Sequence, residues 1–343
     1  MRLGIIGLPG SGKSTVFDAL TQSAADGGHR GEDRIGTIRV PDARVEVLSR
    51  MYQPRKTIYA QVEYFLPGKS GHDRKKDPNA WTPVRDCDAL IHVVRNFRSY
   101  GMEAPTPLGD VVALDEEMVL ADLVVVEKRL ERLEMDRKRG KAADPEELSL
   151  LGQCRERLEA ESPLRRHPEL ARAPQLRGYA FISAKPVLVL FNNNDDDDAP
   201  PPGAGDAALQ AEVMVIRGKL EQELAQMTEA EAVEFLAEFE IQASATDRVI
   251  TRSYDLLGLI SFFTVGEDEV RAWTIRKETP AVDSAEVIHS DIKKGFIRAE
   301  VLAYDDLMSA GSYAEARKRG TVRLEGKTYP VQDGDIVNFR FNV

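Results

Sequence analysis

Residues 7–15, Gly7-Leu8-Pro9-Gly10-Ser11-Gly12-Lys13-Ser14-Thr15, have the types and spacing to grip phosphate. Gly7, Gly12, Lys13 and Ser14 fit the pattern Gly-x-x-x-x-Gly-Lys-Ser, with an apolar strand pattern before it and an amphipathic helical pattern, Thr15 to Leu20, after it. Glycines allow the backbone to curl so that successive N–H groups point inward at an anion. The N-terminus of the following helix adds partial positive charge, and the Lys13 ammonium reaches the outer phosphates. The expected cradle is therefore Gly10, Ser11, Gly12, Lys13, Ser14 and Thr15, with the Ser14 hydroxyl as a ligand of Mg²⁺. A purine nucleoside triphosphate is the ligand this chemistry implies.

Binding is not yet hydrolysis. A loop of this kind is usually joined by a carboxylate at the end of a neighbouring strand, which holds Mg²⁺, and by segments that position the attacking water. The strand pattern Ile58 to Phe65 lies where that carboxylate is wanted, but it runs out as Phe65-Leu66-Pro67-Gly68-Lys69 with no Asp-x-x-Gly. Glu63, within the strand, and Asp73, in a basic loop, are the nearby acids, and neither is well placed. No catalytic residue is assigned. His29, a loop histidine without a visible partner, reads as ordinary surface.

The elements that must position the cradle follow from periodicity. Arg2 to Gly7, Ala89 to Val94, Pro186 to Phe191 and Val213 to Ile216 are near-continuous apolar runs, suited to buried parallel strands covered by helices on both faces. They predict an α/β doubly wound, mostly parallel sheet with its ligand site at the carboxyl ends of the strands. Between 107 and 177 that alternation stops. Val119, Leu123, Val126, Leu130 and Leu133 form one helical seam, and Leu148, Leu151, Cys154 and Leu158 form a second after the N-cap signal Asp144-Pro145-Glu146-Glu147. The pattern predicts an inserted antiparallel helical hairpin with Cys154 in its seam. The tail reads as a small α+β domain: strands at Val287-Ile288, Phe296 to Val301, Thr321 to Leu324 and Ile336 to Phe341, with one short helix near 304–319. The expected division is 1–106 with 178–276 as the nucleotide-binding domain, 107–177 as the insert and 277–343 as the tail domain.

Bulk composition limits the function classes. The chain has 343 residues, 42% hydrophobic and 30% charged, enough for two or three domains with sizeable cores. No apolar run approaches the roughly 20 residues of a membrane span, so no membrane partner is expected. Two cysteines, Cys87 and Cys154, make no disulfide framework or metal pattern. The first strand of the core begins at the second residue, and a cytoplasmic protein is expected. A net charge of −11 argues against a general nucleic-acid-binding surface and against sequence-specific DNA binding, leaving local basic patches at 128–141 and at Arg317-Lys318-Arg319. The run Asp195 to Asp198 lacks the spacing of a calcium loop and reads as solvated.

Several segments together resemble the YchF family of Obg-like P-loop ATPases. Thr264 to Trp273, Val287 to Asp291, Gly295 to Val301 and Val331 to Val343 resemble that family's entry to, and course through, its C-terminal TGS (ubiquitin-like) domain. Ala121-Asp122-Leu123 and Val126 to Leu133 resemble its helical insert, and Ala184 to Leu188 the strand before its base-recognition loop. The resemblance implies a ribosome-associated protein, a ribosomal RNA contact, and a slowly hydrolysed nucleotide, ATP in preference to GTP. The family's Asn-x-x-Glu base motif falls on Asn192-Asn193-Asn194-Asp195, where Asn192 is kept, Asn193 stands where GTPases carry Lys, and the acid is Asp195. Arg217-Gly218-Lys219 falls on the second base loop, so Asn192, Asn193, Asp195, Gly218 and Lys219 are the implied base contacts. The first-switch threonine falls near Arg30, and the Asp of Asp-x-x-Gly falls on Leu66. A nucleotide-binding regulator with weak or absent hydrolysis is the resulting expectation. The alternatives are a slow ATPase or GTPase using another Mg²⁺ carboxylate and, against the lack of an arginine-rich lid, a small-molecule kinase.

Overall fold

A computed structural model describes residues 1–22, 31–68, 80–140, 142, 144–205, 209, 211–238 and 244–342. His29, Arg30, Lys69 and Asp73 lie outside the described residues. The chain forms two compact units, 1–37 with 63–249 and 38–62 with 250–343.

The first unit is built on a six-stranded sheet of order β2-β4-β1-β5-β6-β7. Its strands are β1 (Arg2–Ile6), β2 (Arg34–Arg39), β4 (Gln61–Leu66), β5 (Ala89–Asn96), β6 (Val187–Asn193) and β7 (Glu212–Ile216). The pairs β1–β4, β1–β5, β5–β6 and β6–β7 are all parallel. The continuous apolar runs have the expected cause, because β1, β5 and β6 are buried on both faces. One face packs Ile6, Leu90, Val94, Val189 and Phe191 against Val111, Leu114 and Met118 of the long helix α4 (Pro107–Lys138). Helix α1 (Lys13–Thr21) buries Val16, Phe17, Ala19 and Leu20.

Beyond the sheet, α4 continues with α5 (Pro145–Glu159) as the helical hairpin. Val119, Val126 and Leu133 are buried with Leu151, Cys154 and Leu158, while Leu123 and Leu130 pack at the margin. Arg129, late in α4, bonds Glu147 at the start of α5 (Nε to Oε1, 3.0 Å), as antiparallel helices require. Asp144 caps α5 by accepting from the Glu146 amide at 2.9 Å. Leu148 departs from the expected seam and is 39% exposed, since it lies in the first turn of α5.

The predicted strand at 58–65 is two strands in two sheets. Residues Lys56–Ile58 form β3, which pairs parallel with β9 (Glu269–Arg276), whereas β4 begins at Gln61 and joins β1. The chain is switched at Tyr59-Ala60, where the Ala60 carbonyl accepts from the Val40 amide (2.8 Å), a choice that alternation of side chains alone does not reveal.

The second unit holds a sheet of order β11-β10-β12-β8-β9-β3. Strands β8 (Leu259–Val265) and β9 (Glu269–Arg276) form an antiparallel hairpin, β8 pairs parallel with β12 (Asp335–Phe341), and β10 (Phe296–Ala303) pairs antiparallel with β12 and β11 (Arg323–Glu325). Residues 259–276, assigned from sequence to the nucleotide-binding domain, thus share a sheet with the tail strands. Two tail expectations are corrected. Val287-Ile288 is the end of a helix, Ala281–Ile288, whose Ala281 and Ala285 are buried against the sheet. The single helix near 304–319 is two, Tyr304–Ala310 and Tyr313–Lys318, because Gly311 takes a left-handed conformation (φ 76°) and ends the first.

Candidate functional site

The phosphate loop connects β1 to α1. Gly10 and Gly12 have φ of 77° and 90°, which side-chain-bearing residues rarely adopt. Space opposes a side chain at Gly12 as well, where a Cβ would lie 2.2 Å from Asn192 Nδ2. Lys13 is buried, and its ammonium donates to the carbonyls of Gly7 (3.0 Å) and Leu8 (2.8 Å), folding the side chain back over the loop. Ser11 is also buried, and its hydroxyl has no hydrogen-bond partner among the described residues. Ser14 is exposed on the first turn of α1, and Thr15 is half-buried beside it. Positive-φ glycines, a helix N-terminus and an ammonium at one loop fit a polyphosphate.

Asn192 and Asn193 are successive residues of β6, so their side chains leave on opposite faces. Asn192 is buried and uses its whole amide as a staple. Its Nδ2 donates to the Ser11 carbonyl (3.1 Å), and its Oδ1 accepts from the Gly218 amide (2.9 Å). Gly218 is required there, since a Cβ would lie 2.7 Å from Asn192 Oδ1. The structure therefore brings the phosphate loop, the end of β6 and the start of helix α7 (Gly218–Leu224) together around one side chain. Asn193 turns the other way: it accepts from Asn96 Nδ2 (2.9 Å) and donates to the Ala199 carbonyl (2.7 Å). Buried in that pair, Asn193 makes none of the Ser11 and Gly218 contacts that Asn192 makes. Asp195 is exposed, and its carbonyl accepts from the Arg217 guanidinium (3.4 Å), tying the segment after β6 to the one before α7. Lys219 is exposed, 3.9 Å from Glu223.

The supporting residues are those sequence reasoning missed. Asp18 of α1 accepts from Arg34 of β2 and from Gln222 of α7 (2.9 Å), binding three elements at the flank of the loop. Glu221 is buried and accepts from the amides of Ala245 (2.7 Å) and Thr246 (3.3 Å) and the Thr246 hydroxyl (2.8 Å), capping the helix Ala245–Leu256. Charged residues on amphipathic patterns read as solvated from sequence; their burial is a tertiary fact.

Among the described residues, β4 ends without an acid. Leu66 ends β4 as a buried apolar residue, and Pro67 after it has no N–H to offer. Glu63 pairs with Arg2 at the opposite, N-terminal end of β1, away from the loop. Among the described residues no group of three or more His, Cys, Asp or Glu could hold a metal by itself, and no helix is long and apolar enough to cross a membrane.

Elsewhere in this unit, Asp122 of α4 is fully buried and accepts from the amides of Ile182 (3.0 Å) and Ser183 (2.7 Å) and from Arg85 (3.3 Å). Burial outweighs these donors and pushes its carboxyl above the usual range. Burial raises both Cys87 and Cys154 thiols to about 11, as expected for inert core residues.

Similarity to known proteins agrees with this geometry. A family model named YchF-GTPase_C, described as a protein of unknown function (DUF933), matches residues 259–342. The chain is 37% identical over 363 aligned residues to the ribosome-binding ATPase YchF of Bacillus subtilis, covering 99% of each. It is 32% identical over 361 residues to the ribosome-binding ATPase YchF of Escherichia coli O157:H7, covering 100% of this chain and 99% of that protein. The structure of the Schizosaccharomyces pombe YchF GTPase superposes with a TM-score of 0.81 at 27% identity, covering 99% of this chain and 97% of that one. With a phosphate loop in a parallel sheet, an inserted helical hairpin and this full-length likeness, the chain belongs to the YchF family.

Proposed function

We propose that the chain binds a purine nucleoside triphosphate with Mg²⁺ at the 7–15 loop, hydrolyses it weakly or not at all, and acts as a ribosome-associated regulator. The observation that carries the nucleotide reading is the convergence of the phosphate loop, the end of β6 and the start of α7 on Asn192, whose amide bonds both Ser11 and Gly218. ATP is favoured over GTP: residue 193 lacks the lysine whose stem packs over a guanine base, and curated relatives are named ATPases. The weak-turnover reading is supported by Leu66 and Pro67 at the end of β4 and by the distant pairing of Glu63. Calorimetry with ATP and GTP, wild type against Lys13→Ala, tests binding. The expected result is micromolar-range ATP affinity lost by at least tenfold in the variant, about 1.4 kcal/mol; wild type that binds neither nucleotide at millimolar concentration refutes the reading. Single-turnover hydrolysis at the same site is expected to be slow and abolished in Lys13→Ala.

The ribosome contact rests on the names of the relatives and on charge. Lys128, Arg132, Arg137 and Arg139 are exposed on the hairpin. The tail triad is largely engaged within its own unit, Arg317 with Glu300 and both Lys318 and Arg319 with Glu315. The hairpin is therefore the face proposed for ribosomal RNA. Co-sedimentation with ribosomes at low salt should fall when Arg132, Arg137 and Arg139 are changed together to Glu, and should be retained in Arg319→Ala.

A further inference from the structure

The end of β4 offers no carboxylate, yet the fold brings one to it from another element. Asp33, the residue before β2, accepts from the Gly68 amide through Oδ1 at 2.9 Å. Residues 31 and 32 lie so close over Gly68 that a Cβ there would be 2.3 Å from the Gly31 carbonyl oxygen and the Glu32 carbonyl carbon. The β1–β4 register pairs Leu3 with Tyr64 and Gly4 with Phe65. Continued past both strands, it sets Gly68 level with Gly7, the first glycine of the phosphate loop.

The path of β2 along α1 points to the same corner. Gly36 lies under Thr21 and Phe17, where a Cβ would be 2.3 Å from Thr21 Cγ2. Arg34, two residues earlier, sits over the Phe17 ring at 4.5 Å and pairs with Asp18. Moving backward along β2 thus moves toward the N-terminus of α1, and Asp33 is one residue further in that direction, toward Ser14. The Gly68 bond fixes one carboxylate oxygen and so holds Asp33 at this corner.

We infer that Asp33 is a positioning carboxylate for the Mg²⁺ that accompanies the nucleotide, in place of the acid that Leu66 cannot supply. The inference rests on the nucleotide reading above. Mg²⁺ characteristically uses one or two carboxylates plus substrate phosphates and waters, so a single aspartate together with the Ser14 hydroxyl is a sufficient protein contribution. The sign of the electrostatics makes it testable. Without metal, a carboxylate beside a polyphosphate repels it; with Mg²⁺ between them the same charge attracts.

The test is calorimetric ATP affinity of the full chain, wild type and Asp33→Asn, each in EDTA and in magnesium. Asparagine keeps the acceptor for the Gly68 amide, and matched melting temperatures will show that both proteins are folded. The expected result is that the gain in ATP affinity on adding magnesium shrinks by about 10–100-fold in Asp33→Asn, while affinity in EDTA is equal to or tighter than that of wild type. An unchanged magnesium gain, or an equal loss with and without magnesium, overturns the inference and leaves Asp33 a tie between residue 33 and Gly68. Wild type that binds ATP in neither condition instead refutes the nucleotide reading itself, and this inference with it.

Discussion

Asn192 and Gly12 are the residues at which the phosphate loop can be perturbed without touching its charge. Truncating Asn192 to Ala leaves the Gly218 amide and the Ser11 carbonyl buried and unpaired, a cost of about 1–3 kcal/mol for each group left unsatisfied. Asn192→Asp is expected to be no better in binding, because a second oxygen would then face the Ser11 carbonyl. Thermal melting should fall in both, with ATP affinity falling in parallel. Gly12→Ala meets two obstacles at once, a positive φ and a 2.2 Å approach to Asn192 Nδ2. It should abolish nucleotide binding in calorimetry while the second unit melts as in wild type. Asn193→Ala is the contrasting substitution: its partners are Asn96 and Ala199, so it should reduce stability without a selective loss of ATP affinity.

At the scale of elements, Asp122 adds a buried polar tie between the long helix α4 and residues 85, 182 and 183, beside the apolar packing of α4 on the sheet. Asp122→Ala removes the acceptor of two amides and of Arg85 and is expected to cost about 3 kcal/mol or more, seen as a lower denaturation midpoint. Leu158→Ala, in the apolar seam, should cost about 2–5 kcal/mol by the cavity it leaves. In the second unit, Glu300 of β10 is buried among Arg317, Tyr313 and Arg340. Burial pushes its carboxyl up, but the three donors outweigh that and hold it below the ordinary glutamate value. A depressed carboxyl contributes stability above its unfolded value of about 4.3 and loses it as the pH falls through the folded value. Melting of wild type should therefore decline below about pH 4 more steeply than that of Glu300→Gln.

For the whole molecule, the balance of charge sets how it meets a partner. A chain of net charge −11 is repelled by RNA on average, so any ribosome contact must be local and should weaken steeply with added salt. Binding should be lost between low and physiological salt sooner in the hairpin charge-reversal variant than in wild type, measured by co-sedimentation across a salt series.

Much of this was legible from local pattern. The phosphate loop is read from contiguous residues because its conformation is a contiguous backbone demand: glycines where φ must be positive, then a lysine and a serine opening a helix. The buried strands and the hairpin seam are likewise short-period signals, and Asp144 capped α5 as its sequence indicated. What only the tertiary structure decided depends on residues far apart in the chain. Alternation could not tell that 56–66 would be divided between two sheets, because the division is made by pairing with β9 and β1. The sequence distinguished Asn192 from Asn193 by motif position, but only the strand shows that Asn192 bonds the phosphate loop while Asn193 bonds Asn96. Arg317 read as a free surface cation until Glu300 was found beside it. Sequence specified the phosphate grip, since its geometry is local; the structure decided which side chains surround it, since burial and pairing are made between elements.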